Sequence, residues 1–164
     1  MVCLLGLSIT FACVVVRAVV VAARRMASPA NKVSFMKTVI QSASAPATIG
    51  CYSPALKVGD LVFLSGQLPL DPNTMAIVAG GIKAQVIQVF ANIKALCVAA
   101  GAELDAIVKL TVYLTDIAHA AVVNEVMVDY FQAPYPTRTS IAVVALPRAA
   151  LVEIEAILHL SAVN

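Results

Sequence analysis

The chain has 164 residues, of which 61% are hydrophobic and only 12% charged, with a formal net charge of +2. That length suits one domain with a full core, and a mean hydropathy of +0.93 requires a membrane-seeking segment to be considered. The charge is split: residues 1–35 hold Arg17, Arg24, Arg25 and Lys32 and no acid, whereas the rest holds seven basic and nine acidic residues, a net −2 that offers no phosphate-binding surface.

The N-terminal run Val2–Val16 is apolar without interruption over 15 residues. A bilayer span needs roughly 20. Extending the run means burying Arg17, at a cost of about 3 kcal/mol on insertion scales. A secretory signal places positive charge before its apolar run, and here the charge follows it. Three readings stand for this segment: a cleaved organelle-targeting peptide, a weak membrane anchor with its basic flank on the cytoplasmic side, or translation that starts at Met26 or Met36. The last is preferred, because a coherent domain begins directly after Met36. On that reading the protein is cytoplasmic; on the first it is mitochondrial or in another organelle. A membrane is a partner only if residues 1–35 are retained. The domain is therefore read over 36–164.

From Met36 onward, KTVIQS (37–42) predicts a short strand. SAPATIGCYSPALKVGD (44–60) reads as a loop with turns. LVFLSGQLPL (61–70) opens as an apolar strand and is broken by Gly66 and Pro69. DPNT (71–74) is a turn with proline in its second position. From Gly81 the period lengthens. Ile82, Val86, Val89, Phe90, Ile93, Leu96, Cys97 and Ala100 recur as one helix face, and Gly101 stands where a glycine would stop it.

IVKLTVYLTD (107–116) alternates, with Val108, Leu110, Val112 and Leu114 on one face. Thr115 or Asp116 can cap a second helix, whose inner face would use Val122, Val126 and Tyr130 before Pro134 and Pro136 end it. TSIAVVAL (139–146) is an apolar strand, PRAA (147–150) a turn, and LVEIEAILHL (151–160) an alternating strand. That last strand puts Val152, Ile154, Ala156 and Leu158 on one face and Glu153, Glu155, Ile157 and His159 on the other. The pattern predicts that the last two strands form a hairpin carrying both Arg138 and Glu153.

The order β, β, α, β, α, β, β is that of an α+β domain with one mixed sheet and both helices on one face. The opposite sheet face would be part apolar and part charged. Association explains such a face better than water does, so an oligomer with sites at its joins is expected. Four cysteines, at 3, 13, 51 and 97, show no CxxC spacing, and His119 and His159 lie apart from them. No metal site and no disulfide framework is expected, and a reducing compartment is the easier reading.

The segments TIGCYSPALKVGDLVFLSGQLPLDP, AQVIQVFANIKALCVAAGAELDAIVKLTVYLTDI, VNEVMVDYF and PTRTSIAVVALPRAALVEIEAIL follow one another in this order. Together they resemble the RidA/YjgF family, the reactive-intermediate deaminases, from about Met36 to Leu160. The resemblance implies a chorismate-mutase-like fold, a mixed six-stranded sheet with two helices on one face, assembled as a homotrimer with sites between subunits. It implies hydrolysis of 2-enamine and 2-imine acids, such as 2-aminoacrylate or 2-aminocrotonate, to 2-keto acids and ammonium, with no metal or organic cofactor. By position, Arg138 would grip the substrate carboxylate and Glu153 would handle the attacking water. Tyr52, Ser65, Gly66 and Asn124 would line the substrate pocket. Glu155 is left structural. The family pattern has other residues where this chain carries Cys51, Pro54, Ala120, Met127 and Ser140, which bears on pocket shape and substrate choice.

The residue types suit that chemistry. Arginine meets a planar carboxylate with two parallel hydrogen bonds, and a neighbouring carboxylate can take a proton from water and return one to nitrogen. Without the resemblance, each residue has a plainer reading: Arg138 a solvated loop arginine, Glu153 and Glu155 the wet face of a strand, Tyr52 a rim tyrosine, Asn124 a surface helix residue, Ser65 and Gly66 a bulged strand end. A second functional reading keeps the Arg138 cleft but makes the protein a non-catalytic trimeric carboxylate binder of chaperone-like or regulatory role. Nucleic acid is not expected as a partner.

Overall fold

A computed structural model describes residues 36–160. The readings given above for residues 1–35 concern a segment outside the described residues. Six strands form: β1 (Lys37–Ile40), β2 (Ala55–Val58), β3 (Leu61–Gln67), β4 (Ile107–Leu114), β5 (Thr137–Ala142) and β6 (Val152–His159). Two helices, α1 (Gly81–Ala99) and α2 (Ala120–Tyr130), interrupt the series. The strands make one sheet in the order β1-β2-β3-β6-β4-β5, antiparallel throughout except for the parallel pair β4/β5. Both helices pack on one face, where Phe90, Ile93 and Leu96 of α1 and Val123 of α2 meet Leu110, Leu114, Ile154 and Leu158 of the sheet, all fully buried.

The helical period of α1 is as read, and Gly101 follows it with φ +81, a conformation glycine adopts without strain. The inner face of α2 differs from the reading. It uses Val123, Val126 and Met127, with Val122 and Tyr130 only partly buried. Asp116 accepts from the N–H of Ala118 and caps a 3₁₀ turn over Ile117–His119 ahead of the helix, and that tighter turn shifts the helical phase. Tyr130 instead stacks on Phe90 at 5.2 Å between ring centroids.

Strand β2 lies within the stretch read as loop. Four residues are too few to display an alternation, yet they pair with β1 and turn tightly through Gly59–Asp60 into β3. Val108, expected in the core, is exposed, because a bulge between Ile107 and Lys109 lets Ile107 take the buried place. The expected β5–β6 hairpin does not form. β5 ends at Ala142, and residues 143–151 carry the chain across β4, so that β6 lies between β3 and β4 while β5 takes the edge. The sheet face away from the helices leaves Phe63 and Ile141 exposed and Tyr113 and Ile157 half-buried.

Candidate active site

The sequence-predicted residues divide into two groups. Arg138 pairs in register with Leu110, so its side chain lies on the helix-covered face of the edge strand. There Nη1 donates to Asn124 Oδ1 at 2.7 Å and lies 3.0 Å from Met127 Sδ, both on α2. Among the described residues no ion pair involves Arg138; the one salt bridge joins Lys83 and Glu125. An open cleft of about 400 Å³ in front of it is lined by Asn124, Met127, Val128, Tyr135, Pro136 and Arg138. The Ser140 hydroxyl, two residues on and on the same face, is buried without a partner.

Glu153 belongs to the second group. It alternates with buried Val152 and Ile154 and faces away from the helices. Its carboxylate lies so close to Gly66 that an added Cβ there would overlap it. Gly66 sits in a β3 bulge, where the pairing with β6 jumps from Leu64↔Ala156 to Gln67↔Ile154. Gly66 and Tyr52 line one shallow cleft with Pro46, Ile49 and Leu68 among others. Ser65 holds this group together: its hydroxyl donates to the Ser53 carbonyl at 2.7 Å, and its N–H donates to the Pro54 carbonyl at 3.0 Å, which pins the Tyr52 loop to β3.

Burial, and then the like charge of Glu155, raise the Glu153 carboxyl above its ordinary value of 4.5. Tyr113 stands opposite Glu153 in the β4/β6 pairing. Its phenol is raised by burial, by the Glu155 charge and hydrogen bond, and by Glu153. Burial raises the Cys97 thiol to about 12, leaving a packing residue, while Cys51 is exposed beside Tyr52. Among the described residues no group of three or more His, Cys, Asp or Glu side chains could hold a metal ion.

The fold thus brings Gly66 against Glu153, with Ser65 pinning the Tyr52 loop to the same strand, and separately brings Asn124 to Arg138. It does not join the two groups within one chain. They lie on opposite faces of the sheet, with β4 between their strands, two strand spacings or roughly 9–10 Å. Tyr135 is a lining residue that the sequence reading passed over. Its signal was an aromatic ring between two prolines three residues before the arginine.

The family model described as endoribonuclease L-PSP matches residues 42–160. A RutC family protein of Pyrococcus horikoshii is 48% identical over 124 residues, 76% of this chain and 98% of that protein. A 2-iminobutanoate/2-iminopropanoate deaminase of Bos taurus is 42% identical over 124 residues, 76% of this chain and 90% of that protein. The crystal structure of RidA from an Antarctic Psychrobacter superposes with a TM-score of 0.73 at 51% identity, covering 75% of this chain and 99% of that one.

Proposed function

The chain belongs to the endoribonuclease L-PSP (RidA/YjgF) family, and on that premise we propose that it hydrolyses 2-enamine and 2-imine acids to 2-keto acids and ammonium. The observation that carries this reading is the Arg138 guanidinium. Asn124 and Met127 hold it through one nitrogen at the wall of an open cleft, and it has no carboxylate partner among the described residues. Its remaining donors suit a planar carboxylate, gripped through two parallel hydrogen bonds.

The enamine first tautomerises to the imine. Water then adds to the imine carbon, giving up a proton as the C–O bond forms. The C–N bond breaks as the carbonyl forms, and nitrogen leaves with the protons it has gained. Glu153 is the base for the first transfer and the acid for the second, and the upward shift of its carboxyl, caused by burial and then by the like charge of Glu155, favours its holding the proton between the two transfers. Imines hydrolyse unaided in water, so positioning and one acid/base group, roughly 10²–10⁴-fold, are sufficient. Tyr52, Ser65 and Gly66 complete the Glu153 side.

Arg138 and Glu153 cannot share a substrate within one chain, so the active unit is a homo-oligomer, on the family pattern a trimer. Arg138 of one copy faces Glu153 of the next. The apolar residues left open on the sheet, Phe63, Ile141 and Ile157, are what such packing covers.

A second reading has its own observation. The Arg138 cleft is complete on one chain without Glu153, which is all that a carboxylate-binding protein of regulatory or chaperone-like role requires. Mixing the protein with a serine or threonine dehydratase separates the two. Deamination predicts faster keto-acid release, lost in Arg138→Ala. Ligand-dependent stabilisation by a keto acid, with no acceleration by folded oligomer, would favour binding alone. The endoribonuclease in the family description finds little support in a net charge of −2 from Met36 onward.

A further inference from the structure

The buried stripe of α1 is interrupted twice by amides. Asn92 is 1% exposed and Gln85 6%, among side chains that are otherwise apolar. They stand seven residues apart, two turns along one helix face. Neither belongs to the Arg138 or the Glu153 group, and neither is needed to make a helix.

Their hydrogen bonds run to two specific places. Asn92 Nδ2 donates to the carbonyls of Leu68 and Leu70 at 3.1 and 2.9 Å, while its Oδ1 accepts from Gln88 Nε2 at 2.9 Å. Gln85 Oε1 accepts from the N–H of Leu151 at 2.8 Å. Leu68 follows Gly66 by two residues, and Leu151 precedes Glu153 by two. The strand ladder is weakest here, because the register jump between Leu64 and Gln67 leaves Gly66 out of the β3/β6 pairing. The segment leading to Leu151 is also constrained: Arg148 and Ala149 both have φ +57, and Arg148 Nη1 reaches across to the Met75 carbonyl at 2.7 Å.

We propose that Gln85 and Asn92 are positioning residues of the Glu153 half-site: from one rigid helix they tie down the chain leaving β3 and the chain entering β6, and so set the Glu153 carboxylate against Gly66. The kinetic part of this proposal rests on the imine-hydrolysis reading; the geometric part does not. Gln85 acts on Glu153 through the backbone, and Asn92 acts on Gly66 in the same way. Arg138, held by α2 and β5, is outside their reach.

The test uses the full-length protein with Gln85→Met and Asn92→Leu, which remove the hydrogen bonds at similar volume, and Gln85→Glu, which keeps the acceptor. Two quantities are read: the titration of the Glu153 carboxyl by carbon NMR, and kcat against KM in the dehydratase-coupled assay. In Gln85→Met and Asn92→Leu, kcat should fall about tenfold or more with KM within about twofold. The Glu153 titration should move by about half a unit or more from wild type. Gln85→Glu, which keeps the acceptor but adds a charge, should restore kcat and is read by kinetics alone. If Gln85→Met does not fold, Gln85→Asn, which draws the acceptor back by one methylene, carries the same expectation. A fall in melting temperature with kcat and the Glu153 titration unchanged overturns the proposal. If the wild type shows no turnover, the imine reading fails, and the Glu153 titration alone decides whether these amides position it.

Discussion

Arg138 is anchored through Nη1 alone, which leaves Nη2 and Nε to meet a ligand. Arg138→Ala should therefore cost at least about 100-fold in kcat/KM, and Arg138→Lys at least about tenfold, since an ammonium cannot make the paired contact. Steady-state kinetics in the coupled assay measures both. Glu153→Gln should lower kcat by roughly 10²–10⁴-fold while keto-acid binding persists, as read by calorimetry.

The raised Glu153 value also sets a direction for stability. Folding holds its proton more tightly than the unfolded chain does, so stability is lost as pH rises from 4.5 through the folded value. Glu153→Gln should thus melt higher than wild type at neutral pH, with the difference vanishing below about pH 4. With ionised Glu153 as the proposed base, the acid limb of kcat/KM should lie above 4.5, and Glu155→Gln should move it to lower pH by removing the like charge. At this scale the sequence was informative. The alternation of VEIEAIL put Glu153 opposite the core, and the resemblance singled out Arg138. Sequence could not show that Asn124 and Met127 orient the guanidinium, because that contact joins residues brought together by the packing of α2 on β5.

Elements of strong period were legible: α1, and the alternation of β4 and β6, follow the sequence pattern closely. Short or irregular ones were not. β2 is four residues long, and the bulges at Ile107–Lys109 and Leu64–Gln67 exchange which residue faces the core. The β5–β6 hairpin failed because adjacency in sequence says nothing of a connection that crosses a strand. Gly66 is the element-scale test. Its missing Cβ is the space the Glu153 carboxylate occupies, so Gly66→Ala should reduce kcat by about 100-fold through displacement of the acid. Asn92→Leu should also cost about 2 kcal/mol in urea unfolding, because the Leu68 and Leu70 carbonyls lose their donor.

At the scale of the whole molecule the division of the site is the central fact. One chain holds Arg138 on the helix side of its edge strand and Glu153 on the open face of its centre, where the proposed reaction needs both. The open face was legible from the sequence as a surface part apolar and part charged, as Phe63, Ile141 and Ile157 beside Glu153 and Glu155 make it. That Arg138 and Glu153 would use opposite faces was not, since it depends on the parallel placement of β5 beside β4.

The most direct measurement mixes two dead proteins. Arg138→Ala and Glu153→Gln, co-expressed with different tags and purified as hybrid oligomers, each supply what the other lacks. If every site takes Arg138 from one copy and Glu153 from its neighbour, a hybrid trimer of either composition restores about one third of its sites. Hybrids should release keto acid at near that fraction of the wild-type rate, and neither variant alone should approach it. Hybrids as inactive as their parents would contradict this sharing of the site.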